Sequence, residues 1–226
     1  MSALDALRSL ARGERPNGEL LPPCRLEAFG SEFYGEEAIV QNFRQAPLNI
    51  SEHSTVVEAP GHLAIFEGET VLVADVFDDA MSRLWRLGPG QPMETEPALG
   101  VPFDTDLMQS RGDIALRAED HPALSRKAVP HVEAIGRFLA RGWSAEHGPA
   151  AYRSRSFLIR AFDHGSSGVA LFAVHRLGPA AVRSVGFFYA AALFRMEGDE
   201  LITHRIVSDG AGEAAIDSAL WRARVK

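Results

Sequence analysis

Val169-Ala-Leu-Phe-Ala-Val-His-Arg-Leu177 is the first of three apolar runs in the stretch from Ser167 to Asp209. A Gly178-Pro179 break separates it from the second run, Val182 to Met196, and a Gly198-Asp199 turn precedes the third, Leu201-Ile-Thr-His-Arg-Ile-Val207. No polar segment of helical length lies between the runs, so the pattern predicts consecutive antiparallel strands. Such a sheet has an apolar face that must be covered, and we expect the helices upstream to cover it.

Two segments in the first half of the chain have helical patterns. Ala3 to Arg12 carries leucines at three-residue spacing, and Gly13 would end such a helix. Ser31 is the predicted N-cap of a second helix, whose apolar face includes Phe43 and which Pro47 would follow.

Beyond Pro47 the apolar period changes from that of a helix to that of strands. Asn49–Glu58, His62–Glu67 and Thr70–Phe77 are short and rich in β-branched or aromatic residues, which predicts a small antiparallel meander. The segment from Asp78 to Leu87 fits two structures, a helix capped by Asp78 or a further strand.

A second helical region precedes the C-terminal strands. Asp120 with Pro122 is typical of an N-cap and first turn, Pro130 is expected to divide the region into two helices, and Gly142 is expected to close the second. Arg155 to Phe162 then predicts the first strand of the C-terminal sheet, and Asp163 to Gly168 supplies a turn.

Prolines indicate a boundary in the middle of the chain. Pro89, Pro92, Pro97 and Pro102 lie between Gly88 and Asp106, and their density favours a stiff, extended linker. We therefore expect two α+β units, residues 1–100 and 101–226, joined by a linker near 88–106. Each unit runs from helix to antiparallel strands, although the two halves share no sequence repeat.

Composition limits the class of protein and its partners. The chain has 226 residues, of which 46% are hydrophobic and 23% are charged, as in ordinary soluble globular proteins. Its net charge of −7 predicts no nucleic-acid partner, and no apolar run is long enough to predict a membrane span. The N-terminus lacks the pattern of a secretory signal, so we expect a cytoplasmic protein. The single cysteine, Cys24, has no partner for a disulfide within the chain.

Two further segments resemble a known superfamily. Phe33-Tyr-Gly-Glu-Glu-Ala-Ile-Val-Gln-Asn-Phe43 resembles the helix that introduces the strands in the nuclear transport factor 2-like superfamily, which includes the polyketide cyclase (SnoaL-like) proteins. The segment from Phe194 to Asp209 is similar to the last hairpin of that superfamily, where a Gly-Asp turn precedes an apolar strand that ends in Asp.

This resemblance implies a particular architecture. Its members fold as a strongly curved antiparallel sheet packed on helices, with a cone-like shape and a pocket between sheet and helices. The chain would then be two such units in tandem, the first abbreviated. The superfamily includes isomerases, dehydratases, cyclases and non-enzymatic transport factors, so fold does not give function. None of its catalytic motifs aligns with positions in this chain.

Alternate residues of a strand share one face of the sheet. This alternation identifies candidate pocket-lining residues, which are polar residues on an otherwise apolar face. His175 shares a face with Leu171, His204 with Ile206, Asp75 with Val73, and Asp163 with Phe157 and Ile159. Tyr189 lies in the middle of a strand and could present its hydroxyl to a ligand. A polar group on an apolar face is either a satisfied core residue or part of a cavity wall. Burial would shift the pKa of a histidine or aspartate toward the neutral form, as acid/base chemistry near neutral pH requires.

The remaining histidines show no spacing typical of metal ligands. They are His53, His62, His121, His131, His147 and His164. None forms a His-x-His or His-x-x-x-His pair, so we expect neither a metal nor another cofactor. The Gly-Ser-Ser-Gly segment at Gly165–Gly168 lies between two predicted strands and is typical of a hairpin turn.

Two functions are consistent with these patterns. The first is binding of a small, largely apolar ligand in a pocket between sheet and helices, with acid/base lyase or isomerase chemistry from an aspartate or histidine. The second is a non-catalytic interaction module whose exposed sheet forms an oligomer interface, such as that of a homodimer. An enclosed pocket that holds an ionisable group would favour the first function over the second.

Overall fold

The computed structural model of the chain describes residues 2–16, 19–89, 118–146, 153–177, 185–197 and 200–214. Helices and strands follow one another in both halves, so the predicted α+β class is confirmed. Residues 90–106, which include most of the predicted linker, lie outside the described residues.

The described part of the first half contains two helices and six strands. The helices are α1 (Ala3–Ala11) and α2 (Glu36–Gln45). The strands are β1 (Leu20–Ala28), β2 (Ser31–Tyr34), β3 (Thr55–Ala59), β4 (His62–Glu67), β5 (Thr70–Phe77) and β6 (Ala80–Leu87).

The described part of the second half contains four strands and one long helix. A 3-10 turn at Ala118–Asp120 precedes helix α3 (Val129–Glu146). The strands are β7 (Arg153–His164), β8 (Ser167–Leu177), β9 (Val185–Glu197) and β10 (Glu200–Ser208). Residues 210–214 are helical. Among the described residues the first half thus has more strands than the second, and the expected abbreviation of the first half is not seen.

The strands form two sheets. The N-terminal sheet has the order β2-β1-β6-β5-β4-β3, and the C-terminal sheet has the order β10-β9-β8-β7. The C-terminal sheet is antiparallel throughout, as the three apolar runs predicted. The N-terminal sheet is mixed, because β1 pairs in parallel with β6. The prediction of a purely antiparallel sheet is therefore wrong for the first half.

The two sheets pack face to face, with helices on both outer faces. Side chains of α1 and α2 pack on one face of the N-terminal sheet, against residues such as Leu63 and Leu72. Side chains of α3, including Val132, pack on the outer face of the C-terminal sheet. Between the sheets lies a third apolar cluster, which we call the intersheet layer. It comprises Val57, Ala59, Ala64, Phe66, Val71, Val73, Trp85, Leu87, Phe162, Val169, Leu171, Ala191, Leu193 and Val207.

The intersheet layer contains residues from both of the two expected units. Residues from both sides of the expected boundary near residue 100 contribute to this one cluster. Each sheet has one apolar face covered by helices of its own half and one covered by the other sheet. The two halves therefore share part of their core.

The first half differs from the sequence prediction at both ends of β1. Ser31 does not cap a helix: Phe29 and Gly30 have φ of 55° and 72°, turn the chain back on β1, and leave Ser31 to open β2. Strand β1 itself was not predicted, because Pro22 and Pro23 cannot donate to a ladder. Both prolines lie within the interval where the pairing of β1 with β6 shifts register, between Leu20 and Arg25.

Three other segments can be compared with their predictions. The ambiguous segment that ends at Leu87 is strand β6, since it pairs with β5 along its length. Pro130 is the second residue of α3, in the first turn, where a missing N–H is tolerated. It therefore does not divide the helix, and Gly142 does not end it, because α3 continues to Glu146.

Asp209 joins segments that are far apart in the chain. Its carboxylate is buried and accepts hydrogen bonds from the backbone N–H of Gly30 at 2.7 Å and of Gly212 at 3.1 Å. The second of these caps the helical residues 210–214. Burial raises the pKa of the Asp209 carboxyl, and these backbone hydrogen bonds partly oppose the rise. The turn between β1 and β2 is thereby tied to the end of the C-terminal sheet.

Among the described residues, no helix combines the length and the apolar character that crossing a bilayer requires.

We expect Asp209→Ala to lower the free energy of unfolding by about 2–3 kcal/mol, because the backbone N–H groups of Gly30 and Gly212 lose their acceptor. Asp209→Asn should lower it less, since its amide oxygen can still accept from one of them. Urea unfolding measures both losses. The control is Asp79→Asn in the exposed β5–β6 turn, for which we expect a change below about 0.5 kcal/mol. Equal losses for the alanine variant and the control would contradict the role given to Asp209.

Candidate functional site at the polar end of the intersheet layer

Ionisable side chains replace apolar ones at one end of the intersheet layer. On the N-terminal sheet, strand register places them side by side: His62 is opposite Asp75, Asp75 is opposite Arg83, and Arg83 is opposite Arg25. Residues that pair in this way share a face of the sheet. We call this region the polar end and define it by Arg25, Glu27, His62, Asp75, Arg83, Trp85, Arg160 and Tyr189.

Asp75 is the centre of a three-residue ion network. Its Oδ1 lies 3.2 Å from Nδ1 of His62 on the neighbouring strand. Arg160 of β7 reaches it from the other sheet, with Nε 2.8 Å from Oδ1 and Nη2 2.7 Å from Oδ2. Two nearly parallel N–H···O bonds of this kind are the strongest geometry for a guanidinium and a carboxylate. The network therefore fixes the relative position of the two sheets at this point.

The surroundings keep Asp75 ionised. Burial alone would raise the pKa of this carboxyl, but the hydrogen bonds from His62 and Arg160 outweigh burial and lower it. The side chains of Asp75, His62 and Arg160 are 17%, 21% and 30% exposed. Since Asp75 can only accept, the His62 nitrogen that faces it is the protonated one, and Nε2 of His62 is the acceptor when the ring is neutral.

Aromatic rings support the charged groups of the network. The guanidinium groups of Arg83 and Arg160 lie 4.6 Å and 5.6 Å from the ring centre of Trp85. The ring of His62 stacks on Phe162, with centroids 5.1 Å apart and an interplanar angle of 19°. Cation–π contacts and ring stacking hold these side chains in defined orientations.

Glu27 forms a second ionic group beside the first. Its side chain is 2% exposed, and its Oε1 lies 3.0 Å from Nη2 of Arg25 and 3.0 Å from Nε of Arg83. Tyr189 approaches from the C-terminal sheet, where burial first and the charge of Glu27 next raise the pKa of its hydroxyl. Tyr189 is thus a neutral hydroxyl next to a buried carboxylate.

His175 belongs to an aromatic row on the same face of the C-terminal sheet. Its ring stacks on Phe187 at 5.3 Å and meets Phe157 edge to face at 4.9 Å. Phe187 in turn contacts Tyr189 edge to face, at 5.4 Å. Burial lowers the pKa of His175 to about 4, so its imidazole is neutral near pH 7.

His121 lies close to the ion network. Burial lowers its pKa, and the nearby positive charge of Arg160 lowers it further. Its backbone belongs to the turn after the 3-10 segment, where Leu124 donates to the carbonyl of His121 at 3.0 Å. This loop therefore brings a further titratable side chain close to Arg160 and His62.

The structure brings two of the five predicted residues into the polar end and a third next to it. Asp75 and Tyr189 are part of the polar end, and His175 reaches Tyr189 through Phe187. The side chain of His204 lies outside the described residues, although its backbone sits where the pairing of β10 with β9 shifts register.

Asp163 lies elsewhere, and its predicted face is wrong. The pairing of β7 with β8 shifts register between Leu158 and Arg160, which inserts one residue and reverses the alternation beyond it. Asp163 is consequently on the opposite face from Phe157. Its Oδ1 accepts from the backbone N–H of Ser125 at 2.6 Å, which ties the loop before α3 to the sheet.

The residues of the polar end that sequence reasoning missed are Arg25, Glu27, His62, Arg83, Trp85 and Arg160. A signal existed for His62, because the two-residue turn at Gly68 and Glu69 places it opposite Asp75 in the predicted meander. The sequence contains no such signal for Arg160. The bulge in β7 determines which face Arg160 occupies, and its partner Asp75 is 85 residues away in the chain.

The arrangement supplies an oriented histidine, a carboxylate and several fixed positive charges at a partly exposed edge. These are the groups needed to move a proton and to hold a polar substituent. Within the described ranges, no group of three or more His, Cys, Asp or Glu side chains is arranged to hold a metal ion.

No protein-family model, curated protein or solved structure matches this chain.

A double-mutant cycle on Asp75→Asn and Arg160→Gln should give a coupling energy of about 1–2 kcal/mol, because the pair is bidentate and partly buried. Urea unfolding of the two single variants and the double variant measures it. Arg195 and Glu197, about half exposed and 2.5 Å apart, form the control pair, and their coupling should be near zero. A coupling no larger than that of the control would contradict an intersheet ion pair that contributes to stability.

The stability of the protein should depend on the protonation of His175. Its folded-state pKa of about 4 is below the ordinary 6.5, so the unfolded chain binds the proton first and stability falls as the pH drops from 6.5 to 4. The full loss is on the order of 3 kcal/mol. Urea unfolding at several pH values measures it. His175→Phe should flatten this dependence, whereas His164→Gln at an exposed position should not. An unchanged dependence in His175→Phe would rule out His175 as its source.

Proposed function

We propose that the protein binds a small, largely apolar molecule at the polar end of the intersheet layer and transfers a proton to or from it through His62. The observation that carries the proposal is the contact of His62 with Asp75, at 3.2 Å, in a dyad that Arg160 holds from the other sheet. The reaction class that fits this dyad is acid/base isomerase or lyase chemistry.

The dyad has the properties that a general base requires. Asp75 orients the imidazole and stabilises the imidazolium that forms when Nε2 takes a proton. The stack of His62 on Phe162 fixes the plane of the ring. The 21% exposure of His62 leaves it within reach of a ligand at the edge of the sheets.

Apolar groups near the dyad suit an apolar ligand. Phe77 lies two residues beyond Asp75 on β5 and therefore on the same face, and it is 65% exposed. The rings of Trp85, Phe157 and His175 are buried, so Phe77 is the exposed apolar side chain described next to the dyad. A ligand with a ring or an alkyl body would cover such surface, and its polar group would face the charged side chains.

We also propose that the two halves are tandem units related to the nuclear transport factor 2-like superfamily. The order of elements supports this relation, since helix α2 precedes the four strands β3–β6 and helix α3 precedes the four strands β7–β10. In the cone-like pocket of that superfamily a ligand lies between sheet and helices. The site proposed for this chain lies between the two sheets.

Hydrogen exchange at carbon tests proton transfer directly, whichever reaction follows it. A thermal-shift screen of small hydrophobic acids, sterols and polyketide-like carbonyl compounds comes first, because a ligand at 100 times its Kd adds about 2.7 kcal/mol of stability. Each stabilising carbonyl compound is then incubated with the protein in D2O, and mass spectrometry follows deuterium uptake next to the carbonyl.

We expect exchange with the native protein and a loss of about 100-fold or more in His62→Gln, whose thermal shift is retained. His53→Gln, at an exposed loop position, is the matched control and should exchange at the native rate. Equal exchange in His62→Gln and the native protein would overturn proton transfer by His62. A screen without any stabilising compound would overturn ligand binding itself.

The alternative function is a non-catalytic module that associates through an exposed surface. One observation favours it: Phe138 on α3 is 61% exposed, although large apolar side chains are usually buried. In that case light scattering would give the mass of a homodimer or a larger assembly, and the ligand screen would find no stabilising compound.

A further inference from the structure

Two buried polar atoms at the polar end have no hydrogen-bond partner among the described residues. They are the indole nitrogen Nε1 of Trp85, which can only donate, and the carboxylate oxygen Oε2 of Glu27, which can only accept when ionised. Buried polar groups are nearly always hydrogen-bonded in native proteins, so each of these atoms calls for a specific partner.

The two atoms belong to neighbouring residues. Glu27 and Trp85 are directly opposite each other where β1 and β6 run in parallel, so their side chains leave the sheet on the same face. The exposed fraction of Trp85 is 0%, and that of the Glu27 side chain is 2%. An unpaired donor and an unpaired acceptor are thus carried by neighbouring buried side chains.

The charged neighbours are engaged elsewhere. Arg83 donates to the other oxygen of Glu27, Oε1, and Arg25 forms an ion pair with the same oxygen. The guanidinium groups near Trp85 are donors and cannot accept from its indole nitrogen. The hydroxyl of Tyr189 is another protein group next to Glu27, and it directs a hydrogen bond to that carboxylate. A group that accepts from Nε1 of Trp85 and donates to Oε2 of Glu27 would pair both remaining atoms, as a hydroxyl group can.

Arg83 contacts both buried residues and is itself partly exposed to solvent. Its guanidinium contacts the Trp85 ring at 4.6 Å and Glu27 at 3.0 Å, and its own side chain is 28% exposed. Arg25, which contacts the same oxygen of Glu27, is 29% exposed. A change in the rotamer of one long side chain would give a small polar group access to both buried atoms.

We propose that Trp85 and Glu27 recognise a hydroxyl group of the ligand, which accepts from Nε1 of Trp85 and donates to Oε2 of Glu27. This inference rests on the proposed function, and it narrows the ligand class to hydroxylated apolar compounds, such as alicyclic alcohols, phenols or hydroxysteroids. The hydroxyl anchors the ligand at Trp85 and Glu27, and the apolar body extends toward Phe77 and the His62–Asp75 dyad.

The test compares compounds that differ only in the hydroxyl group. Cyclohexanol, 2-naphthol and a 3-hydroxysteroid are each paired with the corresponding methyl ether, which keeps the acceptor oxygen and loses the donor. Isothermal titration calorimetry gives the two Kd values of each pair. The indole N–H signal of Trp85 in a ¹H–¹⁵N spectrum, assigned with Trp85→Phe, reports on hydrogen bonding at Nε1.

We expect at least one alcohol to bind about tenfold more tightly than its ether and to move the Trp85 indole signal downfield. The preference should disappear in Glu27→Gln, which presents an amide to the ligand in place of a carboxylate, and in Trp85→Phe. Glu32→Gln changes the more exposed carboxylate near Arg25 and should keep the preference. Circular dichroism verifies that each variant is folded, and the two site variants allow a conclusion even if one of them does not fold.

Equal binding of alcohol and ether, with an unmoved Trp85 signal, would overturn the hydroxyl site and leave the proposed binding of an apolar ligand intact. A preference that survives in both Trp85→Phe and Glu27→Gln would also overturn it. If the signal is already downfield in the ligand-free protein and no alcohol moves it, a bound water is the partner of Nε1, and the inference is wrong. Absence of binding by every probe and by every compound of the wider screen would instead overturn the proposed function.

Discussion

The bidentate contact between Asp75 and Arg160 joins the two sheets at the point where the apolar layer between them ends. Apolar packing can hold two sheets together, but it has no direction and leaves their relative position loosely defined. A guanidinium and a carboxylate with two hydrogen bonds of 2.8 Å and 2.7 Å are far more directional. The stack of His62 on Phe162, the contact of Arg160 with the Trp85 ring and the nearness of Tyr189 to Glu27 all join the two sheets and depend on that alignment.

The same contact explains why charged groups can lie between two sheets at all. Removing an ion from water is unfavourable unless opposite charges and hydrogen bonds replace the lost solvent. Here Asp75 has His62 and Arg160, and Glu27 has Arg25 and Arg83. Both carboxylates keep several donors, and the arginines retain partial contact with solvent. The result is a region that is fixed by its internal pairs and is still within reach of small molecules.

Much of the fold was accessible from the sequence, because local periodicity reports the faces of strands and helices. The meander β4–β5 and the strands β8–β10 follow directly from their apolar runs, and so does the shared face of His175 and Leu171. Strand β1 was hidden by Pro22 and Pro23, which are tolerated only because the ladder shifts register there. The periodicity of one segment cannot predict that prolines are tolerated within a strand, because this depends on the register of the neighbouring strand.

The candidate site was harder to predict for a related reason. One extra residue near Ile159 reverses the alternation of β7, which removes Asp163 from the expected face and puts Arg160 in its place. The partner of Arg160 is in the other half of the chain, and no local pattern connects the two. His62 was within reach of prediction, because counting outward from the turn at Gly68 pairs it with Asp75. Residue pairs within a hairpin can be predicted from the position of its turn, whereas contacts between two sheets can be known only from the packed structure.

The shared intersheet layer has a practical consequence for anyone who wishes to express only part of the protein. A fragment that stops near residue 100 would present Val57, Phe66 and Trp85 to water, and the complementary fragment would present Phe162, Leu171 and Leu193. Wide apolar sheet faces of this kind favour aggregation. Co-expression of the two fragments would let each cover the other, so the halves are better suited to reconstitution than to separate purification.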